Sequence, residues 1–265
     1  MLENDDKLIL KVSNIAIEAG KIILEHYKSD LQVMEKKDNS PLTNADLQSN
    51  NFITKELKLL NEETPILSEE SLIKWDERKK WNTYWLVDPL DGTKEFINKN
   101  GEFTVNIALI NNNQPILGVI YAPELSLLYF AQQNKGSHKI NCSNNLSTLD
   151  KAIRLHVNNK KKSERIIVIG SRSHSNEKFT TWIKENYQIY SIVQKGSSLK
   201  LCEIAEGVAD IYPRFGPTSE WDIAAGQIIL EEAGGNIYSF NNERLLYNYK
   251  ENLLNPEFVA TCKIS

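Results

Sequence analysis

Apolar residues recur at helical spacing near the start of the chain, where Leu8, Val12, Ile15, Ala16, Ala19, Ile22 and Ile23 share one face. Pro41 then breaks the chain, and Thr43 or Asn44 is placed to cap a second helix through Asp46, Phe52, Ile53, Leu57 and Leu60. Two short apolar runs follow, residues 65–68 ending at Glu69-Glu70 and residues 84–87 ending at Asp88. Residues 103–110 and 116–121 read as two strands of a hairpin, because Asn111-Asn112-Asn113-Gln114-Pro115 between them is rich in turn formers. Residues 127–131 continue the meander.

From 137 to 164 the chain is polar, and the run Lys160, Lys161 and Lys162 reads as a solvated loop. We expect a boundary there, near residue 155. Beyond it the pattern gives a strand at 166–169, a helix around 178–186, a strand around 189–193, a helix through Leu199, Ile204 and Ala205, and a strand at 210–212. A last helix runs from about Asp222 to Ala233 and stops at Gly234-Gly235. The expectation is an α+β domain over 1–155 carrying most of the acidic site and an α/β domain over 156–265 carrying substrate-binding segments and the last acid.

The 265 residues suffice for one large domain or two modest ones with real cores. A net charge of −4 argues against a surface built for nucleic acid, though it permits a local basic pocket. Cys142, Cys202 and Cys262 are an odd, scattered set, which fits free thiols in a reducing compartment and no C-x-x-C zinc site. Met1 to Asp6 is acidic with no apolar h-region after it, so no ordinary signal peptide is expected. No stretch approaches the roughly 18 apolar residues of a membrane span. These readings place the protein in the cytoplasm.

The densest chemistry is Asp88-Pro89-Leu90-Asp91-Gly92-Thr93. Two carboxylates stand three apart at the end of an apolar strand, with Pro89 stiffening the backbone and Gly92 permitting a tight turn. Such a turn can aim both side chains and the Leu90 carbonyl at one hard cation. Taken alone, the segment could equally be a surface turn with a helix cap, and Asp222 alone could merely favour its helix dipole. Glu69-Glu70, a like-charged pair, needs cations or solvent to neutralise it.

Taken together, Ser68-Glu69-Glu70, Asp88-Pro89-Leu90-Asp91-Gly92-Thr93 and Trp221-Asp222-Ile223-Ala224-Ala225-Gly226 resemble the inositol monophosphatase superfamily of lithium-sensitive phosphatases, in order and over nearly the whole chain. Within it, Asp38-Asn39-Ser40-Pro41-Leu42-Thr43, Lys94-Glu95-Phe96-Ile97, Gly196-Ser197-Ser198-Leu199-Lys200 and Tyr212-Pro213-Arg214-Phe215-Gly216-Pro217-Thr218 look most like the CysQ-type 3'(2'),5'-bisphosphate nucleotidases. The resemblance implies a layered αβαβα sandwich with two sheets. It implies that Glu69, Asp88, Asp91, Asp222 and the Leu90 carbonyl hold two or three Mg²⁺, with Asp88 bridging two. Glu69 and Thr93 would orient the attacking water, Asp46 would assist, and Gly92 and Thr93 would offer N–H groups to the scissile phosphate. The implied reaction is removal of the 3'-phosphate of 3'-phosphoadenosine 5'-phosphate, in support of sulfur assimilation. It leaves open cleavage of the 5'-phosphosulfate analogue, a monomer or a homodimer, and peripheral association with the inner face of a membrane, for which the sequence shows no amphipathic anchor.

The substrate's second phosphate needs donors of its own. Gly196-Ser197-Ser198 at a helix start is a candidate cradle, with Lys200 and Arg214 as pairing cations. Ser171-Arg172-Ser173-His174 follows a strand and could line the same pocket. Three competing readings are an inositol or sugar monophosphatase with the same metals, a haloacid-dehalogenase-like enzyme with Asp88 as nucleophile, and a non-catalytic binding module. The second needs aspartates two apart rather than three.

Overall fold

The computed structural model describes residues 2–28, 33–35, 41–172 and 177–265. Asp38, Asn39, Ser40, Ser173 and His174, singled out above, lie outside the described residues.

The first half contains α1 (Leu2–Lys28), β1 (Val33–Glu35), β2 (Pro41–Thr43), α2 (Asn44–Leu60), β3 (Ile66–Ser68), α3 (Trp75–Arg78), β4 (Thr83–Asp91), α4 (Thr93–Ile97), β5 (Thr104–Asn111), β6 (Gln114–Ala122), β7 (Leu127–Gln132), β8 (Gly136–Asn141) and β9 (Ile153–Arg154). The second contains β10 (Asn159–Lys160), β11 (Ile166–Ser171), α5 (Glu177–Asn186), β12 (Tyr190–Lys195), α6 (Leu199–Ala205), β13 (Ile211–Arg214), α7 (Glu220–Glu232), β14 (Asn236–Ser239), β15 (Phe258–Thr261) and β16 (Lys263–Ile264).

Strands β3 to β9 form one seven-stranded sheet in sequence order, antiparallel except for the parallel β3–β4 pair. A second sheet, ordered β12-β11-β13-β15-β14, is parallel over its first three strands and antiparallel over the rest. The two-residue alternation of a strand sorts side chains onto opposite faces. On β4, Trp85 and Val87 join the core under α1 and α2, while Tyr84 and Leu86 join the core under α7. On β11, Val168 packs with Ile183 and Tyr187 of the α5 region, and Ile169 faces the α6–α7 core. The layers are therefore α1/α2, the large sheet, α6/α7, the small sheet and α5, the αβαβα sandwich expected from the resemblance.

The polar segment 137–164 carries three short strands in whole or in part, β8, β9 and β10. Residues 136–141 form β8, paired with β7. With Ile140 as its one buried aliphatic residue, this strand has no period-two apolar signal, and only its partner defines it. Residue 155 falls between β9 and β10. The core under α7 draws Leu67, Tyr84 and Ala131 together with Leu201, Ile228 and Phe258.

Small residues let α7 sit close to the large sheet and to α6. A Cβ on Gly118 of β6 would lie 2.4 Å from Ile228 Cγ2 and 2.6 Å from the Ala225 carbonyl, and one on Gly226 would lie 2.4 Å from Leu201 Cδ1. No described helix is long and apolar enough to cross a membrane.

Candidate metal centre and substrate cleft

Residues 88 and 91 of an unbroken strand would face opposite sides. Here β4 pairs Asp88 with Asn106 and Asp91 with Thr104, so three steps on β4 match two on β5. This bulge brings both aspartates to one side. Pro89 needs no ladder donor there, and its carbonyl accepts the Ser49 hydroxyl at 2.9 Å. The Leu90 N–H donates to Asp88 Oδ1 at 3.1 Å. Gly92 then takes φ 87°, the left-handed region open to glycine, and α4 begins.

Asp222 enters from α7. Its Oδ2 accepts the Ser219 N–H at 2.9 Å, in a capping box that fixes the first turn of the helix. Among the described residues, one carboxylate oxygen from each of Asp88, Asp91 and Asp222 lies within 4.8 Å of the others. Glu69 follows β3, its N–H bonded to the Val87 carbonyl at 3.2 Å, and lines the same cleft.

The acids disturb one another. Burial pushes the Asp88 carboxyl well above its ordinary range, and the charges of Glu69, Asp91 and Asp222 push it further. Asp222 is raised by burial, then by Asp91 and Glu69. Asp91 is also raised by burial, opposed by Lys200 and by hydrogen bonds from Ser198 and Asn106. A converging, all-oxygen set of acids that resist ionising together fits a hard divalent cation, which would relieve the repulsion.

Asp46, 2% exposed, is locked by Thr43, whose N–H and Oγ1 both donate to Oδ2, at 2.7 and 2.6 Å. The Thr93 hydroxyl lies 3.4 Å from Asp46 Oδ1 and 3.3 Å from the Leu90 carbonyl, so the three residues meet beside Asp91.

A cleft of about 280 Å³ opens next to the acids, lined in part by Glu69, Asp91, Thr93, Lys200, Arg214 and Asp222. Lys200 is 7% exposed, donates to the Ser197 carbonyl, and is pushed down to about 8, chiefly by burial. Arg214 donates to the carbonyls of Gly216 and Pro217 at 3.1 and 2.9 Å. Ser171 also lines the cleft, whereas Arg172 is bound to Glu102 at 2.8 and 3.1 Å.

Ser197 and Ser198 line the cleft, but the segment from Gly196 to Ser198 does not present all its donors as the expected cradle would. The Gly196 N–H donates to Glu102 Oε2 at 2.7 Å and the Ser198 N–H to Asp91 Oδ2 at 2.6 Å. A Cβ on Gly196 would meet Glu95 Cγ at 2.6 Å, so close packing requires the glycine. The segment braces an acid rather than presenting all its donors to an anion.

Sequence reasoning missed Thr104 and Asn106 as supports. Thr104 Oγ1 and Asn106 Nδ2 lie 3.5 and 3.4 Å from Asp91 Oδ2, and the Ser198 hydroxyl donates to Asn106 Oδ1 at 2.8 Å. Both sit at inward positions of β5 beside the bulge; their polarity within a buried strand was the available signal. Glu95 and Tyr212 also line the cleft.

A layered sandwich with three acids gathered at the end of a bulged strand defines a fold that could offer a hard cation oxygen ligands. The chain belongs to the inositol monophosphatase family, matching it over residues 5–261. The protein named 3'(2'),5'-bisphosphate nucleotidase CysQ from Salmonella typhimurium is 42% identical over 258 residues, covering 96% of this chain and 99% of its own. The crystal structure of CysQ from Bacteroides thetaiotaomicron, 40% identical, superposes with a TM-score of 0.86 over 97% of this chain and 98% of that one. An IMPase/NADP phosphatase complexed with Mg²⁺ and phosphate shares the fold at 18% identity, with a TM-score of 0.73 over 92% of this chain and 86% of that one.

Proposed function

We propose that this chain is a 3'(2'),5'-bisphosphate nucleotidase that hydrolyses the 3'-phosphate of 3'-phosphoadenosine 5'-phosphate, giving AMP and phosphate. The observation that carries this reading is one cleft lined both by the acids Glu69, Asp91 and Asp222 and by the cations Lys200 and Arg214. A substrate with a phosphate at each end suits such a cleft; a monophosphate would leave one set of groups unused. Identity above 40% to a nucleotidase over nearly the full length supports the same substrate.

Glu69, Asp88, Asp91, Asp222 and the Leu90 carbonyl would hold two or three Mg²⁺. Bound there, the ions would supply Lewis acidity that lowers the pKa of a water toward neutral and offsets negative charge on the phosphoryl group and leaving oxygen. Asp46 would accept the O–H of Thr93, which turns the hydroxyl's lone pairs toward the attacking water so that they accept a hydrogen bond and orient it, with the Glu69 carboxylate as the second acceptor and the group able to take the proton. The Gly92 and Thr93 N–H groups face the scissile phosphate, and Lys200 and Arg214 pair with the other. No side-chain nucleophile is required.

The test is Mg²⁺-dependent phosphate release across a panel, with and without lithium. Faster turnover of 3'-phosphoadenosine 5'-phosphate than of inositol 1-phosphate is expected. The reverse order would replace this reading with a sugar monophosphatase.

A further inference from the structure

Two residues before Asp222, Glu220 is 1% exposed, and its Oε2 accepts the Asn248 N–H at 2.7 Å. Asn248 sits in the left-handed region at φ 52° and clasps Arg78 from both sides. Its Oδ1 accepts Arg78 Nη1 at 2.5 Å, and its Nδ2 donates to the Arg78 carbonyl at 2.6 Å. Arg78, 2% exposed, also donates to the carbonyls of Lys250 (3.2 Å) and Glu251. Asn113 fixes the same turn to the β5–β6 hairpin by donating to the carbonyls of Tyr247 and Asn248 at 2.6 and 3.2 Å.

This strap joins two segments that share no element. Arg78 closes α3, on the stretch that begins at Glu69, and Glu220 opens the helix that presents Asp222. The α7 end of the strap is itself tightly held: the Glu220 N–H donates to the Leu253 carbonyl at 2.9 Å, and Asn255 Nδ2 donates to the Ser219 carbonyl at 2.7 Å. Burying a guanidinium and a carboxyl is costly, and an apolar contact would join the segments more cheaply. What the polar strap adds is a fixed distance, because its hydrogen bonds admit one geometry.

We propose that Arg78 is a positioning residue for the metal centre: through Asn248 and Glu220 it fixes Glu69 relative to Asp222 and so sets the affinity for Mg²⁺. The proposal rests on the reading of Glu69 and Asp222 as metal ligands. Two variants test it. Asn248→Gly keeps the left-handed backbone and the N–H to Glu220 but removes the clasp on Arg78. Arg78→Lys keeps the charge but lacks the fork. Metal-free wild type and variants are titrated with Mg²⁺ in a calorimeter, below their melting temperatures. Both variants are expected to bind Mg²⁺ about tenfold more weakly, the scale seen when groups supporting metal ligands are removed. The Mg²⁺ concentration for half-maximal phosphate release should rise by the same factor, with KM for the nucleotide at saturating Mg²⁺ unchanged. Wild-type Mg²⁺ affinity in a folded variant, even one that melts earlier, overturns the proposal, as does failure of both variants to fold. A wild type that binds no Mg²⁺ sinks the metal-centre reading itself, and this proposal with it.

Discussion

Ser198 donates its backbone N–H to Asp91 Oδ2 at 2.6 Å across a sequence separation of 107 residues. The bond ties the start of α6 to the end of β4, so the substrate side of the cleft and the acid cluster are built on each other.

Asp91 sits where strand bulge, β5 supports and Ser198 converge. Asp91→Asn removes a charge from the cluster while keeping its shape. We expect phosphate release to fall by roughly three orders of magnitude or more, the scale of losing a group that stabilises the transition state. Steady-state assays at saturating Mg²⁺ measure it; unchanged turnover would remove Asp91 from the site, and no release above background by either protein would favour a non-catalytic module.

Asn106 reaches Asp91 from β5 and also accepts the Ser198 hydroxyl. Asn106→Ala should loosen Asp91 and weaken Mg²⁺ binding about tenfold. Calorimetric titration of the metal-free protein reads this directly.

Lys200 predicts a pH effect with a definite sign. Its ammonium is pushed down to about 8, so the cation is present below that pH and lost above it. KM for the bisphosphate nucleotide should therefore rise as pH climbs through 8. The substrate's phosphates are already ionised there, so they cannot be the source of the rise. Lys200→Arg, which does not titrate in this range, should flatten the profile.

The raised carboxyls of Asp88 and Asp222 mean that the folded, metal-free protein holds protons more tightly than the unfolded chain. That proton uptake favours folding at lower pH, and its contribution fades as pH rises past the ordinary carboxylate range. Mg²⁺ must displace those protons. The rise in melting temperature on adding Mg²⁺ should be larger at pH 7.5 than at pH 5.5, as thermal unfolding at both pH values will show.

Gly118 faces α7 where an added Cβ would overlap both Ile228 and the Ala225 backbone. Gly118→Ala should cost about 3 kcal/mol, at the upper end for overpacking a core. Urea denaturation measures it. Because α7 presents Asp222, the variant should also lose activity out of proportion to its stability.

The sequence by itself determined many of the helices and strands and the acids placed at their ends, while the layered sandwich was what the family resemblance implied. Helical spacing marked α1 and α2, short apolar runs marked β3 and β4, acids after those runs marked Glu69 and Asp88, and an acid opening an apolar helix marked Asp222, because these signals are local. Tertiary structure decided the rest. β8 became a strand only through its pairing with β7, since its own residues carry no alternation. Asp88 and Asp91 share a side only because β5 forces a bulge into β4. The donors of Gly196 and Ser198, legible as an anion cradle, turned to Glu102 and Asp91 once folding brought those carboxylates within reach. A local pattern shows which groups a segment can offer; which partner each group meets depends on contacts a hundred residues apart.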